Sequence, residues 1–206
     1  MLFIISPQYI FNQISKLQEN TDNIYVITPE QFSYTAERKL LDSLNNSSAI
    51  LNAEVLTFNR MAYRIINQVS GRTDVTLTKA GKAMLIYSIL LKYKKDLKFL
   101  NKSNENVELI SKTITEFKKH SINTNMLSNA INTIDDLYLK TKLLDLQLIY
   151  ENYCNNISNK YIDENDVLDI LIDNIQKTDI FNNSIIYIDE FSGFTQQEYN
   201  IIKHLL

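Results

Sequence analysis

Asp189 and Glu190 are the residues of this chain best placed to do chemistry. They follow the apolar run Ile185-Ile186-Tyr187-Ile188 and precede Phe191-Ser192-Gly193-Phe194 and Thr195-Gln196-Gln197-Glu198. A short apolar run bounded by turn residues reads as a strand buried on both faces, as in a parallel sheet. Adjacent carboxylates at the C-terminal end of such a strand sit where open α/β sheets bind ligands. In nucleotide hydrolases this arrangement is Walker B: the Asp reaches Mg²⁺, directly or through water, and the Glu polarises the attacking water. A strand that merely ends in polar residues fits the segment equally well.

Other titratable residues read as structural. His120 and His204 are isolated, with no metal-ligand spacing and no Ser or Cys placed for a nucleophilic arrangement. Cys154, beside Tyr150 and Tyr153 on a helical pattern, reads as a small buried apolar residue. Asp135-Asp136 and the group Asp163, Glu164 and Asp166 read as helix starts, where carboxylates favour the N-terminal dipole. An acidic metal cluster is the alternative for the second group.

Composition narrows the classes. At 206 residues and 45% apolar content the chain can bury a real core. No run approaches the roughly 18 apolar residues of a membrane span. The start, Met1-Leu2-Phe3-Ile4-Ile5-Ser6, lacks the pattern of a secretory signal. A single cysteine excludes a disulfide within the chain and a multi-cysteine metal site. A cytoplasmic setting is the expectation. Three Gly and two Pro point to a mostly helical fold with few sharp turns. The net charge of −3 argues against a general nucleic-acid binder, but the charge is uneven. Residues 60–98 carry nine Lys/Arg against Asp74 and Asp96, whereas residues 132–190 carry twelve Asp/Glu against four Lys. Such asymmetry suits a protein with one face on a polyanion; a solvated helix face is the other reading.

The elements that must position these residues follow from apolar spacing. Leu2–Ser6, Asn23–Thr28, Ala53–Phe58 and Ser184–Asp189 read as strands. Helical patterns follow each, over Gln8–Gln18 (Ser6 as N-cap, Pro7 at the first position), Glu30–Leu44, Asn59–Val69 and Thr195–Leu206. Strands alternating with helices predict βα units and a parallel sheet. Between the third and fourth strands the spacing predicts only helices, at roughly 77–96, 103–120, 124–133, 135–157 and 164–177. The predicted fold is α/β: a parallel-sheet core from residues 1–72 and 180–206, interrupted by an all-helical insertion over 73–179.

Three strand-end phrases occur in order: ITPEQFSYTAERKLL from Ile27, AEVLTFNRMAYRI from Ala53 and IYIDEFSGFTQQEY from Ile186. Their order and spacing resemble motifs Ia, Ib and II of the first RecA-like domain of UvrD/Rep-type superfamily 1 helicases. Within that group they are similar to the AddB (RexB) family, the helicase-like nuclease subunits of bacterial AddAB. The resemblance covers essentially the whole chain. It implies a RecA-like P-loop NTPase half-core (1A) with a helical 1B insertion, and a role in double-strand-break processing with an AddA-type partner. It also implies help in recognising a Chi-type sequence. ATP and Mg²⁺ belong to the full-length protein on this view, and the family's nuclease and iron–sulfur cysteines lie far downstream.

Two departures bear on that reading. The family's first strand leads into a glycine-rich loop ending Gly-Lys-Ser/Thr, whose amides and Lys bind phosphates. Here Ile4-Ile5-Ser6-Pro7-Gln8 holds neither glycine nor lysine, and Ser6 is the one candidate relic. Ser192-Gly193 also stand where active superfamily 1 helicases usually have Gln-Asp. No tight ATP or Mg²⁺ binding and no independent ATP hydrolysis are expected, with Asp189 as the candidate Mg²⁺ ligand and the Asp189–Glu190 pair vestigial. By analogy with the helicases, Thr28, Gln31, Thr57, Phe58, Asn59 and Arg60 are the DNA-binding candidates for single- or double-stranded DNA. Hydroxyls and amides can hold phosphate oxygens, and Phe58 can offer a stacking face. Equally, Phe58 can be core and Thr57 a helix N-cap. Lys79, Lys82 and the Lys92, Lys94 and Lys95 cluster add diffuse phosphate attraction or form a solvated face. Two other classes stay open: an autonomous Mg²⁺-dependent nucleotide hydrolase, and a non-catalytic helical protein-interaction module.

Overall fold

A computed structural model describes residues 2–4, 10–11, 14, 23–43, 52–69, 75–100, 104–158 and 160–206. The chain divides into two compact units, one from Met1–Arg72 and Leu168–Leu206, the other from Thr73–Val167. The first is built on a parallel sheet of β1 (Leu2–Ile4), β2 (Asn23–Ile27), β3 (Ala53–Leu56) and β6 (Ser184–Ile188), in the order β1-β6-β2-β3.

Register explains why the strand ends matter. Ile27 lies opposite Leu56 on one side and Ile188 on the other. The C-terminal ends of β2, β3 and β6 are therefore level, and Thr28, Thr57 and Asp189 leave the sheet side by side. Apolar and aromatic residues fill both faces, as a covered parallel sheet requires. Ile24, Val26, Val55 and Tyr187 share one core with Ile10, Phe11 and Ile14, and with Ala36 and Leu40 of helix Ser33–Ser43. On β2 the intervening Tyr25 meets Phe181 edge to face at 5.1 Å and donates its hydroxyl to the Ile180 carbonyl at 3.3 Å.

Helix Phe58–Val69 buries Phe58, Met61, Ala62, Ile65 and Ile66, the spacing of one apolar stripe. Each large side chain so buried contributes about 1.5–3 kcal/mol. Arg64 on the same helix makes a two-pronged pair with Glu54 of β3, one bond at 2.7 Å. Helix Gln196–Leu205 closes the unit. Its capping box has Thr195 and Glu198 satisfying each other's backbone N–H groups.

The second unit holds helices Lys79–Lys92, Asn104–Lys119, Thr124–Asn132 and Leu137–Ile157. Their core joins Ile86, Leu90, Ile110, Ile114, Leu127, Ile149 and Tyr153. Two expectations need correction here. Residues 73–179 are not all helical, because β4 (Val75–Leu77) and β5 (Tyr161–Asp163) form a two-stranded parallel ladder. Strands of three residues are too short for a period-two pattern to register, and their partners lie far apart in sequence. The return to the sheet unit also falls at Leu168, whereas the sequence reading set it at residue 180.

The ladder carries a buried ionic cluster. Asp163 accepts from the Tyr153 hydroxyl at 2.6 Å and from the Lys82 ammonium at 3.2 Å. Lys118 lies 3.4 Å from the same carboxylate and also bonds Asp166. Burial alone would raise the Asp163 pKa; Lys118, the Tyr153 hydrogen bond and Lys82 outweigh it and hold the carboxyl far below the usual range.

Candidate nucleic-acid interface

Backbone bonds tie the three strand ends together one residue beyond the sheet. The Thr28 amide donates to the Leu56 carbonyl at 3.0 Å, and the Asp189 amide donates to the Ile27 carbonyl at 3.0 Å. The rim thus inherits the rigidity of the parallel ladder. Above it lies a cavity of about 310 Å³.

Each wall comes from one strand end. After β2, Thr28 and Pro29 lead into a single 3-10 turn, Glu30–Phe32, that presents Glu30 and Gln31. After β3, the Thr57 hydroxyl accepts the Arg60 N–H at 3.2 Å and so caps helix Phe58–Val69, turning Phe58 and Asn59 toward the cavity. After β6, the segment Glu190–Gly193 forms the third wall, and Glu198 and Leu168 complete it. Glu190 adopts φ 62°, a left-handed conformation that few side-chain-bearing residues adopt. Its N–H is held by the Asp189 carboxylate at 2.8 Å.

Among the described residues the Thr28 hydroxyl is fully buried and has no hydrogen-bond partner. A buried hydroxyl left unpaired costs about 1–3 kcal/mol. Thr28 borders the cavity but its side chain has no exposed surface, so the amides open to a ligand there are those of Gln31 and Asn59. Phe58 is 5% exposed and packs on Phe191 at 5.5 Å, so its ring is largely covered. Phe194 stacks on Phe191 at 4.9 Å with 33° between planes and remains exposed. Half-buried Phe191 lines the cavity, and the exposed ring stacked beside it is Phe194, which is not among the described lining residues. The strand-end analogy did not single it out, although an aromatic pair directly after the carboxylates was a usable signal.

The structure brings Thr28, Gln31, Thr57, Phe58, Asn59 and Glu190 to one cavity. Arg60 and Asp189 are not among its described lining residues, and the Arg60 guanidinium is paired with Glu37 at 2.6 Å. Ser6 lies outside the described residues, as do Pro7 and most of the Gln8–Gln18 helix. No Lys or Arg is among the described lining residues, whereas Glu30, Glu190 and Glu198 are. Lys39 reaches Glu190 at 3.7 Å. The cavity accordingly suits a hydrogen-bonding, uncharged or cationic group, such as a base edge. It does not suit a bare phosphate.

Asp189 and Glu190 are both engaged within the protein. Burial raises the Asp189 pKa, its Oδ1 already accepts the Glu190 N–H, and Glu190 is engaged by Lys39. Among the described residues no group of three or more His, Cys, Asp or Glu could hold a metal ion. No described helix is long and apolar enough to cross a membrane.

A model of the family described as ADDB, N-terminal, matches residues 7–206. The B subunit of the ATP-dependent helicase/deoxyribonuclease of Clostridium botulinum (strain Loch Maree / Type A3) is 38% identical over 204 residues, covering 97% of this chain and 18% of that protein. The protein of the same name from Clostridium tetani (strain Massachusetts / E88) is 39% identical over 206 residues, covering 96% of this chain and 18% of its own length. One from Clostridium kluyveri (strain NBRC 12016) is 38% identical over 195 residues, covering 93% and 17%. The chain spans less than a fifth of the length of these curated relatives.

Proposed function

The chain belongs to the AddB N-terminal family, and from that premise we propose that it guides single-stranded DNA within a helicase–nuclease subunit that processes double-strand breaks. On this reading the sheet unit is a RecA-like half-core (1A), the helical unit is the inserted 1B lobe, and the partner is an AddA-type subunit. Cutting, and any ATP hydrolysis, are assigned to machinery outside these residues.

One observation carries the reading: three separated segments meet at the C-terminal rim of one parallel sheet, around one cavity. Ligands of open α/β sheets sit on that rim. Its chemistry favours bases over backbone. The Gln31 and Asn59 amides can bond base edges, and the exposed Phe194 ring can stack a base for about 1–3 kcal/mol. The carboxylates keep phosphates out of the cavity and on its lip, which orients the strand with bases inward.

Fluorescence anisotropy of the chain with a labelled single-stranded oligonucleotide tests this. Saturable, salt-sensitive binding is expected, weakened about tenfold by Phe194→Ala, in line with the loss of one stacked base. Absence of binding, or equal binding by that variant, contradicts the proposal.

A further inference from the structure

Phe99 and Tyr138, both in the helical unit, form an exposed aromatic pair with ring centroids 4.8 Å apart and planes at 89°. Tyr138 is 66% exposed and Phe99 37%. Large aromatics left in water are ordinary when mobile and scattered, but these are held. Asp145, itself 4% exposed, accepts the backbone N–H groups of Lys98, Phe99 and Leu100 at 3.1, 2.6 and 2.8 Å. Leu100 is buried in the core just beyond. Asp136 accepts the N–H groups of Tyr138 and Leu139 at 2.8 and 3.0 Å, fixing the first turn of helix Leu137–Ile157. The backbone under both rings is thus set before any partner arrives, which lowers the entropic cost of binding.

Lysines accompany the pair. The Lys142 ammonium sits 5.7 Å from the Phe99 ring centre. Lys94, Lys95, Lys98 and Lys140 belong to the same two segments. None of these lysines has a carboxylate within ion-pair distance among the described residues. The acidic residues exposed in these segments are Asp96, Asp135 and the capping Asp136, so cations prevail. A π-face can stack any base, and ammonium groups donate to phosphate oxygens.

We propose that this platform is a second contact for single-stranded nucleic acid, with a base stacked on Tyr138 and phosphates held by Lys98 and Lys142. The proposal rests on the DNA-guiding reading above and adds a contact that the rim does not supply. Exposed Leu137 and Leu139 flank Tyr138, and an acidic protein helix would use the same strip; the test separates the two.

The chain is irradiated with a single-stranded oligonucleotide carrying 5-bromouracil, and cross-linked peptides are mapped by mass spectrometry. Cross-links are expected at Tyr138 or Phe99. Tyr138→Ala removes a mostly solvated ring, so the fold, checked by circular dichroism, is kept while anisotropy affinity falls at least fivefold. Replacing Lys98 and Lys142 by Gln lowers the slope of log affinity against log salt by about 1.4. Cross-links confined to Phe191–Phe194, with an unchanged salt slope, overturn the platform and leave the rim reading standing. Cross-links at neither place overturn both. Full DNA affinity in Tyr138→Ala overturns the platform.

Discussion

The Asp189 amide donates to the Ile27 carbonyl at 3.0 Å, so the carboxylate-bearing strand end is bonded directly to the strand that carries Thr28. With the Thr28–Leu56 bond, this makes one rigid shelf from segments that are distant in sequence. The shelf presents a base-sized cavity, and its chemistry differs from that of a phosphate cradle.

Asp189→Asn should stabilise the chain at neutral pH. Burial raises the Asp189 pKa; the Glu190 N–H bond opposes the rise, the Glu190 charge adds to it and Lys39 opposes it. A carboxyl that holds its proton more tightly folded than unfolded loses stability as pH rises from about 4 through its folded pKa. The asparagine can still accept the Glu190 N–H. Thermal unfolding should show a higher midpoint for the variant at pH 7 and none of that gain at pH 3. A lower midpoint at pH 7 would mean that the charge is satisfied.

Thr28→Val should separate stability from binding. It removes a buried hydroxyl without a partner at nearly constant volume, a gain of about 1 kcal/mol. The hydroxyl has no exposed surface, so single-stranded DNA binding should be unchanged. Chemical denaturation and anisotropy on one preparation check both.

The Asp163 cluster sets the acid limit of the helical unit. Its carboxyl is held below the ordinary range, so its contribution is complete above about pH 4 and is lost as pH falls further. Asp163→Ala strands Lys82 and Lys118 without their shared partner and should cost about 3–5 kcal/mol. Urea denaturation at pH 7 measures the loss, and an effect below about 1 kcal/mol would contradict the buried-cluster account.

ATP at millimolar concentration, titrated calorimetrically into the chain, should give no saturable heat. Between Ile4 and Gln8 there is neither glycine nor lysine to cradle a triphosphate. A saturable isotherm would restore the hydrolase reading.

Much of the sheet was legible because β2 and β6 are continuous β-branched and aromatic runs ending in polar residues. Helix Phe58–Val69 was legible from its apolar stripe alone. Val75–Leu77 and Tyr161–Asp163 were not, since their pairing is a tertiary event that three residues cannot announce. The cavity's acidic character was hidden as well. Glu30, Glu190 and Glu198 converge only through the parallel register and the cap of the last helix. Phe58 illustrates the same limit: its type allowed either stacking or core, and packing on Phe191 covers it and leaves Phe194 as the open face.

Hydrogen–deuterium exchange of the chain with and without a short single-stranded oligonucleotide tests the shared rim most directly. The account predicts that amides of residues 28–33, 57–60 and 190–195 gain protection together and with the same dependence on oligonucleotide concentration. Protection of one segment without the others, or of none, would contradict it.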